Sequence, residues 1–129
     1  MKKVSFLLLC CLMLGGVAFA QSKPAAQFTR IEHNFGSVRE SLGAVTTEFE
    51  FTNTGDAPLI IQRVAASCGC TTPGYSREPI LPGKKGKITA RYSTTGRPGN
   101  FNKTITVYTN VPDTTYVLTI KGNVIPDKK

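Results

Sequence analysis

Along most of this chain the apolar residues fall at every second position, and no window carries the three-to-four spacing of a helical stripe. Successive side chains of a strand point to opposite faces. A sequence with this period can therefore bury one face of a sheet and must leave the other in water. Val45, Thr47, Phe49 and Phe51 alternate with Thr46, Glu48 and Glu50, and Ile88, Ala90 and Tyr92 alternate with Lys87, Thr89 and Arg91. Phe101, Ile105 and Val107 share a segment with threonines, while Tyr116, Leu118, Ile120 and Val124 mark the last run. Phe28 to Ile31, Pro58 to Val64 and a short piece around Pro79, Ile80 and Leu81 bring the total to about seven strands.

Turn chemistry separates these runs. Asn53-Thr54-Gly55-Asp56 offers residues that tolerate positive φ, which predicts a hairpin between its flanking strands. Pro82-Gly83 and Pro98-Gly99 fit type II turns, in which proline presets the second position and glycine takes the positive φ of the third. Short strands with turn signals about every 8 to 12 residues predict an all-β, antiparallel β-sandwich, with a small barrel as the alternative. The domain is expected over residues 27–126, between a flexible linker at 21–26 and a tail at 127–129.

The first twenty residues read as a signal peptide: Lys2 and Lys3, an apolar stretch from Val4 to Val17, then a cleavage motif at Ala18-Phe19-Ala20. Cleavage after Ala20 leaves 109 of the 129 residues, enough for one domain and too few for two. The apolar stretch is shorter than the roughly 20 residues of a membrane span, so no span is expected in the mature chain. Export places the protein in the periplasm or outside the cell. Loss of Lys2 and Lys3 leaves 14 basic against 8 acidic side chains, a net charge of +6. That charge suits an anionic partner such as an acidic glycan or an acidic face of another envelope protein. Nucleic acid is excluded by export and by the lack of an aromatic-basic binding motif.

Cys10 and Cys11 leave with the peptide, so the lasting thiol chemistry is one local pair, Cys68-Gly69-Cys70. Three readings of it stay open. The first is a structural disulfide or a reduced pair; in an oxidising compartment the bond is chemically reasonable, but a three-residue ring stabilises by only about 1.6 kcal/mol. The second is thiol exchange or covalent linkage to a partner, although the basic residues nearest in sequence, Arg63 and Arg77, are not placed beside the pair by any pattern. The third is a metal site at Cys68 and Cys70, for which copper(I) is the best candidate because it accepts few, soft ligands. His33, the one histidine, is distant in sequence and reads as a strand-end hydrogen-bonding residue. Lys84, Lys85 and Lys87 around Gly86 lack the spacing of a phosphate loop and read as a solvated hairpin tip. Thr71, Tyr75 and Arg77 form a candidate binding loop, with Tyr75 the aromatic expected nearest the surface.

Asn34-Phe35-Gly36, the run from Phe51 to Ile61, Ser67-Cys68-Gly69-Cys70-Thr71, Pro82-Gly83 and Lys121-Gly122 together resemble a secreted bacterial family known as a domain of unknown function, family fifteen seventy-three. The Cys-Gly-Cys-Thr run after the Asn-Thr-Gly turn is the most specific element. The resemblance implies an immunoglobulin-like sandwich, similar to Hydin-type and abnormal-spindle-type modules and more remotely to major sperm protein and pilus-chaperone domains. It carries no activity with it. Asn34 stands where the family often has an acid and Tyr75 where it often has tryptophan. Asn102-Lys103-Thr104 matches the N-glycan acceptor pattern, which a bacterial origin makes a poor site, and Asp113-Thr114-Thr115 resembles an O-glycan acceptor of some bacterial envelope systems. With no catalytic constellation in the sequence, the chain reads as a binding module of the envelope, with a thiol or copper(I) site at Cys68 and Cys70 as the alternative.

Overall fold

The structure, a computed structural model, describes residues 22–127. The expected signal peptide over 1–20, with Ala18 and Ala20, and the end of the tail lie outside the described residues. Eight strands run in order: β1 (Ala26–Phe28), β2 (Glu32–Arg39), β3 (Ala44–Asn53), β4 (Ile61–Ala66), β5 (Thr71–Tyr75), β6 (Lys85–Ser93), β7 (Gly99–Thr109) and β8 (Thr115–Ile125). A short 3-10 turn, Glu40–Leu42, joins β2 to β3. Two four-stranded sheets result, one ordered β1-β3-β6-β5 and the other β2-β8-β7-β4.

The period-two runs are the inner faces of these sheets. Phe49, Phe51, Ile88, Ala90 and Tyr92 face inward from the first, and Phe101, Ile105, Val107, Leu118, Ile120 and Val124 from the second, all buried. Tyr92 and Phe101 stack across the interface with ring centroids 3.9 Å apart. The opposite faces carry charge, as in the ion pairs Lys85–Glu50 and Lys87–Glu48. An all-β sandwich is thus the fold, as the alternation requires.

Several local expectations change. Residues 29–31 are not a strand, and Ile31 is exposed. β2, absent from the sequence reading, pairs parallel with β8, so the sandwich is not purely antiparallel. The run Asn53–Asp56 is not a hairpin turn: β3 and β4 belong to different sheets, and the segment carries the chain from one to the other. Pro82-Gly83 does make the expected turn, with Gly83 at φ 80° and a bond from Lys84 N–H to Leu81 O. At the next turn the chain bends earlier than Pro98-Gly99, through Gly96 at φ 72° and a bond from Arg97 N–H to Thr94 O. Lys85 and Lys87 lie within β6, so the lysine cluster is largely strand surface and not a hairpin tip.

The linker expected at 21–26 is tied down from Lys23 onward. Lys23 N–H donates to the Asp56 carboxylate, Asp56 N–H to Lys23 O, and Thr54 N–H to Ala25 O. Ala26 already belongs to β1, in register with Asn53. The physical reason is that the Asn53–Asp56 segment leaves β3 with unspent backbone groups, which the incoming chain satisfies.

Candidate functional site

β4 ends at Ala66, and the next four residues carry the chain from the second sheet to the first, where β5 begins at Thr71. This crossover holds the cysteines. Cys68 and Cys70 are joined in a disulfide with their Cα atoms 5.3 Å apart, within the range of about 4.4 to 6.8 Å that such a bond accepts. The two cysteines differ in environment: Cys70 is 5% exposed and belongs to the core, while Cys68 is half-buried and packs against it. Cys70 N–H donates to Sγ of Cys68 at 3.2 Å, and Oγ1 of Thr71 lies 3.9 Å from each sulfur. The segment is held by bonds from Ser67 N–H to Thr104 O, Thr71 N–H to Cys68 O and Ser93 N–H to Cys70 O. With so many backbone anchors and so small a ring, the disulfide is a minor staple. Replacing both cysteines with serine is expected to cost no more than about 2 kcal/mol in a denaturant titration, with the unfolding slope unchanged.

The candidate binding residues separate. Thr71 is buried beside the disulfide, whereas Tyr75 lies at the far end of β5, about 13 Å away along the strand. Thr71 to Tyr75 are therefore an edge strand and not a loop, because their backbone pairs with β6 from Thr71↔Tyr92 to Tyr75↔Ile88. Tyr75 is half-buried against the core, with the Arg77 guanidinium 4.5 Å from its ring centroid. The copper(I) reading of Cys68 and Cys70 needs both sulfurs as thiolates, and so concerns only the reduced protein.

Sequence reasoning missed Lys103. It occupies an inward slot of β7 between Phe101 and Ile105, in register with Ile120, and adjoins Thr104, whose N–H donates to Ser67 Oγ at 3.1 Å. Lys103 is thus the cation next in sequence to the residue that Ser67 bonds at the start of the crossover. Its signal was a charge at a core-parity position, visible once Phe101, Ile105 and Val107 are set on one face.

His33 sits on β2 with its ring edge-on to Phe35 at 4.5 Å. Burial, reinforced by the positive charge of Arg30, lowers its pKa below the usual imidazole value. The folded state thus holds His33 neutral where the unfolded chain binds a proton. Its stabilising contribution is full above about pH 6.5 and is lost as pH falls through the folded value. Thermal midpoints measured between pH 7.5 and 5 are expected to fall more for the native sequence than for His33→Gln.

The four sheet edges differ in what they leave unpaired. β1 is three residues long. On β5, the terminal bonds from Ser93 N–H to Cys70 O and from Ser76 N–H to Lys87 O turn the even-numbered residues toward β6. Pro73 then faces outward with no N–H to offer, and the Thr71 N–H is spent on Cys68 O. On β2, Arg30 reaches Glu32 O, the Asn34 side chain accepts the Gly36 N–H, and the register breaks between Asn34 and Ser37. β4 is different. After an irregularity between Ile61 and Arg63, its pairing with β7 is regular to Ala66, and the Ser67–Thr104 bond turns its odd-numbered residues inward to β7. The N–H and C=O groups of Val64 and Ala66 point away from the sheet and have no partner among the described residues. Arg63, flanking them, lies 4.0 Å over the Tyr108 ring.

The sequence profile of the family described as "Protein of unknown function (DUF1573)" matches residues 26–124. No curated protein matches the sequence. Among solved structures, a protein of unknown function from Porphyromonas gingivalis W83 is similar at a TM-score of 0.66 and 16% identity, over 84% of this chain and 50% of that one. A family 123 glycoside hydrolase from Clostridium perfringens is similar at 0.60 and 9%, over 81% of this chain and 27% of that one. The secreted serine protease VesC from Vibrio cholerae is similar at 0.54 and 12%, over 81% and 23%. At these identities the likeness is one of fold. The chain spans half or less of each of these proteins.

Proposed function

The chain belongs to the DUF1573 family of proteins of unknown function, and from that premise we propose that it is an exported, non-enzymatic binding module of the envelope. In this reading it captures an extended, acidic segment of another envelope protein along the open edge of β4. The observation that carries the reading is the contrast among the edges: only at β4, among the described residues, do two successive outward positions, Val64 and Ala66, retain both backbone groups without proline or a side-chain cap. An extended peptide pairs with such an edge through its main chain and takes specificity from flanking side chains. Arg63 and the +6 charge of the expected mature chain favour acidic residues in that segment. The whole matched region is spent on one sandwich, which suits a module that binds. The similar structures, being longer, carry such a sandwich as one part of a larger protein.

Capture from envelope extract by the immobilised mature protein tests the proposal. A discrete protein is expected, retained above a charge-matched control and lost with Ala66→Pro. That substitution removes an outward N–H and no bond to β7, so the fold stays intact. Capture that survives Ala66→Pro, or that never exceeds the control, would refute the β4 reading.

A further inference from the structure

The cysteine crossover has features that a purely structural bond does not require. Its ring is too small to hold the fold, one cysteine is half-buried while the other lies in the core, and the Cys70 N–H already donates to the Cys68 sulfur. We propose that Cys68–Cys70 is an exchangeable disulfide that oxidises a dithiol of a partner protein, with Cys68 as the sulfur that reacts. This is independent of the β4 edge, which uses other atoms.

The chemistry follows from access. A thiolate of the partner attacks Sγ of Cys68, the sulfur it can reach, along the line of the S–S bond. A bond forms between the partner sulfur and Cys68, the Cys68–Cys70 bond breaks, and Cys70 departs with the electron pair and takes up a proton. The partner's second thiolate then attacks its own sulfur in this mixed disulfide, and Cys68 leaves as a thiolate. The products are one partner disulfide and two protein thiols, so two electrons pass from the partner dithiol to the ring.

Leaving is easier when negative charge on Cys68 is met by donors. The Cys70 N–H at 3.2 Å and the Thr71 hydroxyl at 3.9 Å are in place. The buried position of Cys70 keeps the second sulfur from competing partners, and from there its thiolate can attack Cys68 in the mixed disulfide, re-forming the ring and releasing the partner thiolate. Because the segment is anchored at Ser67, Thr71 and Ser93 by backbone bonds, opening the S–S bond leaves the strands where they are.

Two measurements on the mature protein test this. In the first, the oxidised native protein is mixed at pH 7 with a slight excess of a reduced model peptide carrying two cysteines, and products are read by intact mass. The expected result is the peptide disulfide and the protein heavier by two hydrogens, formed without denaturant and with an unchanged far-ultraviolet dichroism spectrum. A ring that stays closed until denaturant is added would overturn the proposal. In the second, Cys70→Ser and Cys68→Ser are each reacted with oxidised glutathione. Cys70→Ser, which keeps Cys68, is expected to form the mixed disulfide at least tenfold faster, and Thr71→Val is expected to slow it severalfold in that background. Equal rates for the two single-cysteine proteins, or faster reaction at Cys70, would overturn the assignment of Cys68. The first measurement needs no variant and stands if either substitution unfolds the chain.

Discussion

Asn53→Ala is expected to destabilise the protein by about 3 kcal/mol or more, the largest loss expected from a single polar side chain among the described residues. Asn53 is fully buried at the end of β3. Its Nδ2 donates to Ala57 O and to Ile80 O, each at 2.8 Å, and its Oδ1 accepts from Gly55 N–H at 2.9 Å and, more weakly, from Ala25 N–H at 3.4 Å. Its backbone is equally engaged: Asn53 N–H donates to Lys84 O, and Gly83 N–H donates to Asn53 O. One side chain therefore ties the N-terminal segment, the sheet-to-sheet connection and the approach to β6 together. Truncation removes three short bonds, each of order 1 kcal/mol net, and leaves the Gly55 N–H and the Ala57 carbonyl to find new partners in a site with little water. Urea titration measures the effect. A loss below 1 kcal/mol would mean that water replaces the amide readily and that the knot is looser than the geometry implies. Asn53→Asp is expected to lose at least as much, since it keeps the acceptor for Gly55 but sets a buried carboxylate oxygen against two carbonyls.

Gly86→Val is expected to cost a comparable amount, about 3 kcal/mol, by overpacking. Gly86 lies in β6 opposite Phe51, and a Cβ placed on it would stand 2.5 Å from Cζ of Phe51 and 3.0 Å from Cγ1 of Ile80. Phe51 is itself 1% exposed and packs on Phe28 with ring centroids 5.2 Å apart, so the ring has no free space to turn into. Even Gly86→Ala is expected to lose about 1 to 2 kcal/mol, against the intrinsic gain of alanine over glycine in a strand. The check is a double-mutant cycle with Phe51→Leu. If the clash is the cause, the smaller side chain recovers part of the loss, and strict additivity of the two changes would show that Phe51 is not the obstacle.

These two residues also show where the sequence was legible. The inner faces could be read because alternation is a property of a strand alone: Phe49, Ile88, Ile105 and Leu118 announce their orientation with no knowledge of partners. Pairing is different, since it depends on which strands meet. Asn53-Thr54-Gly55-Asp56 has the composition of a hairpin turn, yet the same residues serve a crossover between sheets, and only the strand order distinguishes the two. β2 escaped because its run contains Asn34, Gly36 and Ser37 at an irregular register and its inward residues are only half-buried. β5 escaped because Pro73 and Gly74 read as loop chemistry, whereas proline is tolerated there by an outward-facing position on an edge.

The cysteine pair was legible as a pair and not as a site. Its position in the sequence showed neither access nor donors; those come from the crossover between β4 and β5. Thr71, Tyr75 and Arg77 looked like one loop by proximity in the chain, but an extended strand separates its ends. The β4 edge was invisible for the same reason: a free backbone group is defined by the strand that is not there.

Residue-resolved amide hydrogen exchange measures the open β4 edge most directly. In the free mature protein the amides of Val64 and Ala66 are expected to exchange without protection while those of Arg63 and Ala65, bonded to β7, are protected. On addition of the envelope protein captured by the module, Val64 and Ala66 are expected to become protected, and their neighbours on β7 to change little. Protection of both amides in the free protein, or binding that slows exchange elsewhere and leaves these two fast, would contradict the account.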